Sequence, residues 1–308
     1  MPIALISHED CLLHQMGKYH PEQPARLTAI TDELIRTGLY DVLKSYSAPL
    51  ATLEQLLRVH DENYINHLKE VEPKSGIIPL DQDTWMSPHS LNAALRAAGA
   101  AVFAVDLVMS GEVDSAFCNI RPPGHHAERA KLMGFCFFNN VAVAAAHALE
   151  HHHLKRVAII DFDVHHGNGI EDIFRNDKRV LYCSSFQSPF YPFEGVHTKS
   201  KHIINIPLAA GTTGTLFREK AEEFWFKQII QFNPEMIFFS AGFDGYIKDV
   251  MSDILLTEED YAWITAEIKK LADLLCKGRI VSVLEGGYDL PGLGRCVVAH
   301  LKALLGVE

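Results

Sequence analysis

The order of short apolar runs and longer helical stretches limits what this chain can fold into more than any other feature. Runs rich in β-branched and aromatic residues occur at Ile3–Ile6, Ser115–Asn119, Arg156–Ile160, Val180–Cys183, Ile203–Ile206, Met236–Ser240 and Ile280–Leu284. Several are almost wholly apolar, as parallel strands covered on both faces need to be. Between them Ser90–Met109, Asn139–Glu150, Leu216–Phe232, Glu258–Cys276 and Leu293–Leu304 read as helices. Thr257-Glu258-Glu259-Asp260 resembles an N-cap followed by an acidic first turn. This alternation predicts an α/β fold, a doubly wound and mostly parallel central sheet sandwiched by helices. No linker, repeat or low-complexity stretch divides the 308 residues, so a single domain is expected. Pro73–Met86 mixes Pro, Gly and Asp and reads as a long surface loop.

Charge narrows the partners. The formal net charge is -11, from 28 Lys+Arg against 39 Asp+Glu. Such a surface repels phosphate backbones, so direct nucleic-acid binding is not expected, whereas cationic peptides or polyamines are attracted. The six cysteines contain no CxxC pair and read as reduced, buried thiols. The start MPIALISHED lacks a signal-peptide pattern, and no apolar run is read as a membrane span, so a cytoplasmic location is expected.

The polar clusters all follow expected strands directly: RPPGHH, DFDVHHGNG, AGFD and EGGYD. In open α/β sheets the carboxyl ends of the strands form the ligand crevice, so the four clusters should converge. Asp161, Asp163 and His165 stand at alternate positions, and an extended backbone would put them on one side. Asp244 would join from a second strand. An Asp-His-Asp set balances Zn²⁺ and leaves a coordination position open. A capped loop or ion-pair cluster is the plainer reading of DxDxH alone, but carboxylates interrupting so apolar a run need a counter-charge. The adjacent imidazoles of His125 and His126 suit general base and acid, although an isolated His-His is usually surface. His151-His152-His153 is such a case, read as a solvated helix end without a carboxylate partner. Tyr288, after Gly286 and Gly287, could donate to a developing oxyanion; alone it would more simply be a core aromatic. Gly134-Phe135-Cys136 and Ser188-Pro189-Phe190-Tyr191-Pro192 offer aromatic channel walls or ordinary core packing.

Together these segments resemble the arginase–deacetylase superfamily, specifically the histone deacetylases and bacterial acetylpolyamine amidohydrolases. HPEQPARL, RPPGHHA, GFCFFNN, DFDVHHGNG, AGFD and EGGYDL occur in the family's order. The resemblance implies one Zn²⁺ per chain on Asp163, His165 and Asp244, with His125 and His126 as the tandem histidines and Tyr288 as the transition-state tyrosine. Asp161 would orient His125, and Asn168 would partner His126. Gly134, Phe135, Tyr191 and Gly287 would line the acetyl-lysine tunnel and its floor, with Arg26 near the inner end. A structural K⁺ would use Asp161, Asp163, His165, Ser184 and Ser185, and a second K⁺ Phe174, Asp177 and Val180. Asn168 stands where many class I members carry Asp, which points to class II and bacterial members. Tyr191 replaces the commoner Phe. Met251 falls near the position of a gatekeeper Glu in polyamine-specialised relatives, which favours lysine side chains over polyamines. Asp83, on the expected rim loop, is a candidate for holding substrate backbone.

The implied activity is hydrolysis of an N-acetyl amide on a lysine side chain of a peptide or protein, giving acetate and a free amine. Hydrolysis of a small acetylated amine is the nearest alternative. A dimanganese ureohydrolase would need a second Asp where Tyr246 stands, and an inactive sensor or scaffold would not need the intact His125, His126 and Tyr288. The sequence leaves the oligomeric state open.

Overall fold

A computed structural model describes residues 2–307. The strands are β1 (Ile3–Ser7), β2 (Lys44–Ser47), β3 (Ile78–Pro79), β4 (Trp85–Met86), β5 (Ser115–Cys118), β6 (Val157–Asp161), β7 (Val180–Gln187), β8 (Ile203–Leu208), β9 (Ile237–Ala241) and β10 (Ile280–Leu284). The helices are α1 (Asp10–Leu13), α2 (Ala25–Arg36), α3 (Leu53–Leu57), α4 (Glu62–Glu70), α5 (Ser90–Ser110), α6 (Asn140–Glu150), α7 (Asn168–Phe174), α8 (Gly214–Ala221), α9 (Lys227–Phe232), α10 (Glu258–Cys276) and α11 (Leu290–Leu305).

Eight strands form one sheet in the order β2-β1-β5-β10-β9-β6-β7-β8, and every pairing in it is parallel. The expected doubly wound α/β architecture is therefore present. Strands β5, β6, β7, β9 and β10 are buried along their whole length, which explains their uniform apolarity. The sequence reading missed edge strand β2, whose residues Lys-Ser-Tyr-Ser are largely exposed and carry no apolar run. It also missed α2, although Leu27, Ile30 and Leu34 form a buried stripe at helical spacing. The expected helix Leu216–Phe232 is α8 and α9 joined through a π-turn at Glu222–Phe226. Within Pro73–Met86, β3 and β4 make a small antiparallel hairpin instead of a featureless loop.

The Thr257 cap is as expected: the Thr257 backbone N donates to Asp260 Oδ2 at 2.8 Å, starting α10. All six cysteines are buried and unpaired. Helix α5 corrects one expectation, because its length and apolarity are sufficient for a bilayer span. Most of it is buried, packed beside α6 and against β1, β5 and β10. Helix α11 packs against both α2 and α10, and its His300 reaches the β10 hydroxyl of Ser282 at 2.9 Å.

The close approach of α5 to the chain at Pro49–Ala51 needs Gly99. A Cβ there would lie 2.1 Å from the Pro49 carbonyl oxygen and 2.7 Å from the Ala51 nitrogen. Helix propensity alone favours Gly99→Ala by about 1 kcal/mol. The backbone clash outweighs it, so a net destabilisation of about 1–3 kcal/mol is expected in urea unfolding. An unchanged or higher midpoint would contradict this packing.

Candidate active site

Four neighbouring strands in the middle of the sheet, β5, β10, β9 and β6, carry the four polar clusters at their carboxyl ends. Parallel strands end in one plane, so adjacency alone brings His125 and His126, Tyr288, Asp244, and the Asp161–His165 segment into one crevice. There a cavity of about 250 Å³ is lined by Asp163, His165, His125, His126 and Tyr288, together with Gly134, Phe135, Phe190, Tyr191, Met251 and Asp83. The expected wall and rim residues are thus assembled in one place.

Donor atoms of Asp163 and His165, which line it, and of Asp244 behind them lie within 4.8 Å of one another, and all three residues are buried. His165 Nδ1 is 3.1 Å from both Asp163 Oδ1 and Asp244 Oδ2. Backbone amides bind the second oxygen of each carboxylate: Gly286 N donates to Asp163 Oδ2 at 2.9 Å, and Val164 N to Asp244 Oδ1 at 2.9 Å. Burial and the neighbouring Asp163 charge push the Asp244 carboxyl up to about 6. Burial disfavours a charged His165, yet the two carboxylates override it and push its pKa up to about 10. Two carboxylates that compete for one imidazole, with open donor positions toward a cavity, form a set suited to a cation. The glycines are part of this fit. A Cβ on Gly242 would lie 1.9 Å from Asp163 Oδ2, and one on Gly286 would lie 2.1 Å from Asp244 Oδ2.

The two histidines that line the cavity sit in different electrostatic surroundings. His125 Nδ1 is 3.2 Å from Asp161 Oδ2. Burial lowers its basicity, but the Asp163 and Asp161 charges prevail and push its pKa up to about 10. His126 Nδ1 donates to Asn168 Oδ1 at 2.8 Å, a neutral partner. Burial, then the charges of His125 and His165, hold His126 well below the usual histidine range. With Asn168 accepting from Nδ1, Nε2 is the ring nitrogen of a neutral His126 that can accept a proton.

The sequence reading passed over Glu285 and Asp249, which position these side chains, and named Arg26 and Asp83 without their partners. Glu285 accepts from Gly124 N at 2.6 Å and His125 N at 3.1 Å, tying the histidine loop to the end of β10. Arg26 donates to the carbonyls of Gly287 (2.7 Å) and Glu285 (2.5 Å), and its guanidinium lies 4.9 Å from the centre of the Tyr288 ring. Asp249 receives the backbone N–H groups of Tyr288 (2.5 Å) and Asp289 (3.1 Å) on one oxygen and that of Met251 (2.9 Å) on the other. One carboxylate thus joins the tyrosine loop to the opposite wall. Tyr191 and Asp83 both line the cavity, and burial, with the Asp83 charge added, pushes the Tyr191 phenol well above its usual range. Asp83 also accepts from Gly134 N at 3.2 Å.

Other expected residues are placed as follows. Asp161 and Ser184 pair across β6 and β7, with Ser185 next along the strand. Phe174, Asp177 and Val180 lie in two successive turns, with Asp177 N bonded to Phe174 O and Val180 N to Asp177 O. Tyr246 points away from the cluster, donating to Glu258 Oε1 at 3.1 Å. The histidine triplet requires a correction. His152 Nε2 lies 2.7 Å from Asp106 Oδ1, so the triplet does have a carboxylate partner, supplied by α5 and invisible to local sequence.

Residues 20–304 match the family model described as the histone deacetylase domain. The chain is 36% identical over 303 residues to a probable deacetylase of Archaeoglobus fulgidus, covering 95% of this chain and 83% of that protein. It is 35% identical over 327 residues to the human polyamine deacetylase HDAC10, covering 99% of this chain but 48% of that protein. The crystal structure of the HDA15 HD domain superposes with a TM-score of 0.91 at 30% identity, covering 99% of this chain and 88% of that one. The chain belongs to the histone deacetylase family and is a hydrolase of acetylated amides.

The Asp249 clamp yields a testable coupling. Tyr288→Phe should lower kcat by about 10²–10³-fold through loss of an oxyanion donor. Asp249→Asn should lower kcat about tenfold with little change in KM. In the Tyr288→Phe background, Asp249→Asn should cost almost nothing further, because its effect runs through Tyr288. Multiplicative losses would contradict the clamp.

Proposed function

We propose that the chain is a zinc-dependent deacetylase that removes acetyl groups from lysine side chains. The observation that supports this most is that Asp163 and His165, which with Asp244 make a buried donor set, line the narrow cavity that His125, His126 and Tyr288 also line. Zinc held by these three residues supplies a Lewis acid for the acetyl carbonyl and lowers the pKa of water nearby.

The protein's own groups divide the remaining work. His126 Nε2 takes a proton from the attacking water, since Asn168 fixes the proton on Nδ1. His125 keeps its proton and, with Tyr288, balances the negative charge growing on the carbonyl oxygen. Burial pushes the Tyr288 hydroxyl well above the usual phenol range, so it remains a donor. His126 then returns its proton to the departing amine nitrogen, the C–N bond breaks, and acetate and the free amine leave. In this reading His126 acts as both base and acid, where the sequence alone gives the base role to the His125/His126 pair.

Phe135, Phe190, Tyr191 and Met251 form walls that suit the methylenes of a lysine side chain, and Asp83 at the rim suits a substrate N–H. The human relative's name speaks for a polyamine. In this chain Met251 puts no charge on the wall, so lysine is the preferred reading. For K⁺, the Asp161–Ser184 pair under the cluster is the better-supported site, and the two turns at Phe174, Asp177 and Val180 a second one. We also place the activity in the cytoplasm.

Zinc-loaded protein should hydrolyse an acetyl-lysine peptide with kcat/KM at least about tenfold above acetylputrescine. The reverse order would move the assignment to small amines, and no acetate release from a broad acyl panel would favour an inactive scaffold. Asp244→Asn should lose zinc and turnover together. Full activity in that variant would remove Asp244 from the ligand set.

A further inference from the structure

At the amino-terminal end of the sheet, opposite the cavity, the ends of α5 and α6 bring together Asp106, His147, His151 and His152. His147 Nε2 lies 2.8 Å from Asp106 Oδ1, and His152 Nε2 lies 2.7 Å from the same oxygen. His151 follows His147 at the i,i+4 spacing that aligns two imidazoles on one helix face, and their rings stack with centroids 4.7 Å apart. Donor atoms from all four residues lie within 4.8 Å of one another. His147 is buried, so this is more than a flexible tract on the surface.

We propose that Asp106, His147, His151 and His152 form a second metal site, for a borderline divalent transition ion such as Zn²⁺ or Ni²⁺. Imidazoles with a single carboxylate suit this class better than Mg²⁺ or Ca²⁺, which take oxygen ligands. Two imidazole nitrogens converging on one carboxylate oxygen already have the shape of a coordination triad. Around a tetrahedral ion with bonds of roughly 2.0–2.1 Å, donors stand roughly 3.3 Å apart. The present 2.7 and 2.8 Å separations therefore need to open by less than 1 Å as the ion replaces the shared protons.

Arg58 opposes the ion. Its Nη1 lies 2.7 Å from His147 Nδ1 and, as a donor, keeps the ring proton on Nε2, pointing at Asp106. Metal ligation through Nε2 moves that proton to Nδ1 and turns Arg58 toward Glu54, which it already reaches at 2.9 Å. The site therefore has a competitor built in. Two metal ions per chain would then indicate two separate mononuclear sites, not a dinuclear active centre.

The test is a calorimetric titration of the zinc-loaded full chain with Ni²⁺ and, separately, Zn²⁺, with deacetylase turnover as the folding control. One further equivalent should bind at micromolar protein. Asp106→Asn and His147→Gln should each weaken it by about tenfold or more, while turnover of Asp106→Asn stays unchanged. Arg58→Met should tighten it. Absence of a further equivalent would overturn the proposal. So would unchanged binding in Asp106→Asn, which would put the ion on the exposed tract His151–His153 alone.

Discussion

Three carboxylates buried side by side are the constraint on which the rest of this structure depends. Asp161, Asp163 and Asp244 are each at most 1% exposed, and unpaired charge at that depth costs several kcal/mol per ion. Each is stabilised from several directions. Asp161 receives the Asp163 N–H at 3.2 Å and the Tyr182 hydroxyl at 2.9 Å, while Asp163 and Asp244 take backbone amides and share His165. Such a cluster is tenable only where strand ends direct N–H groups inward and where glycine lets neighbouring chain come close. Gly242 and Gly286 follow from the carboxylates, whose Asp-His-Asp set is of the kind that could hold a cation.

A second buried ionic group supports the tyrosine loop from below. Glu22 pairs with Arg121 through two 2.6 Å bonds and with Arg26 at 3.3 Å, all three fully buried. Burial alone would raise the Glu22 carboxyl, but Arg121 and His14 hold it well below the usual range. Arg26 then carries this anchoring to the Glu285 and Gly287 carbonyls and to the Tyr288 ring. The amino-terminal segment, far from the cavity in sequence, thereby sets where the phenol stands. Glu285 does the same for His125 from the other side. The reacting groups lie on loops, yet each loop is tied to a buried charge.

Much of this was legible in the sequence, because parallel strands buried on both faces leave unbroken apolar runs. Strands β5, β6, β7, β9 and β10 could be read that way, and so could the clusters that follow four of them. Edge strand β2 could not, since one face meets water and its pairing with β1 is a tertiary fact. The ligand set and the tandem histidines were visible because DxDxH and HH are local patterns. Asp249, Glu22 and Asp106 were not, because single acidic residues gain their roles from chain elements distant in sequence. Asp106 also shows how a plausible local reading fails: three histidines at a helix end look solvated until the neighbouring helix is placed beside them.

We propose that a metal ion on Asp163, His165 and Asp244 completes the catalytic site. Anomalous diffraction at the zinc edge, from crystals of the zinc-loaded protein, tests it most directly. The expected result is a peak about 2.0–2.2 Å from a donor atom of each of the three residues. Absence of that peak, or a peak in the cavity held by a different set of side chains, would contradict it.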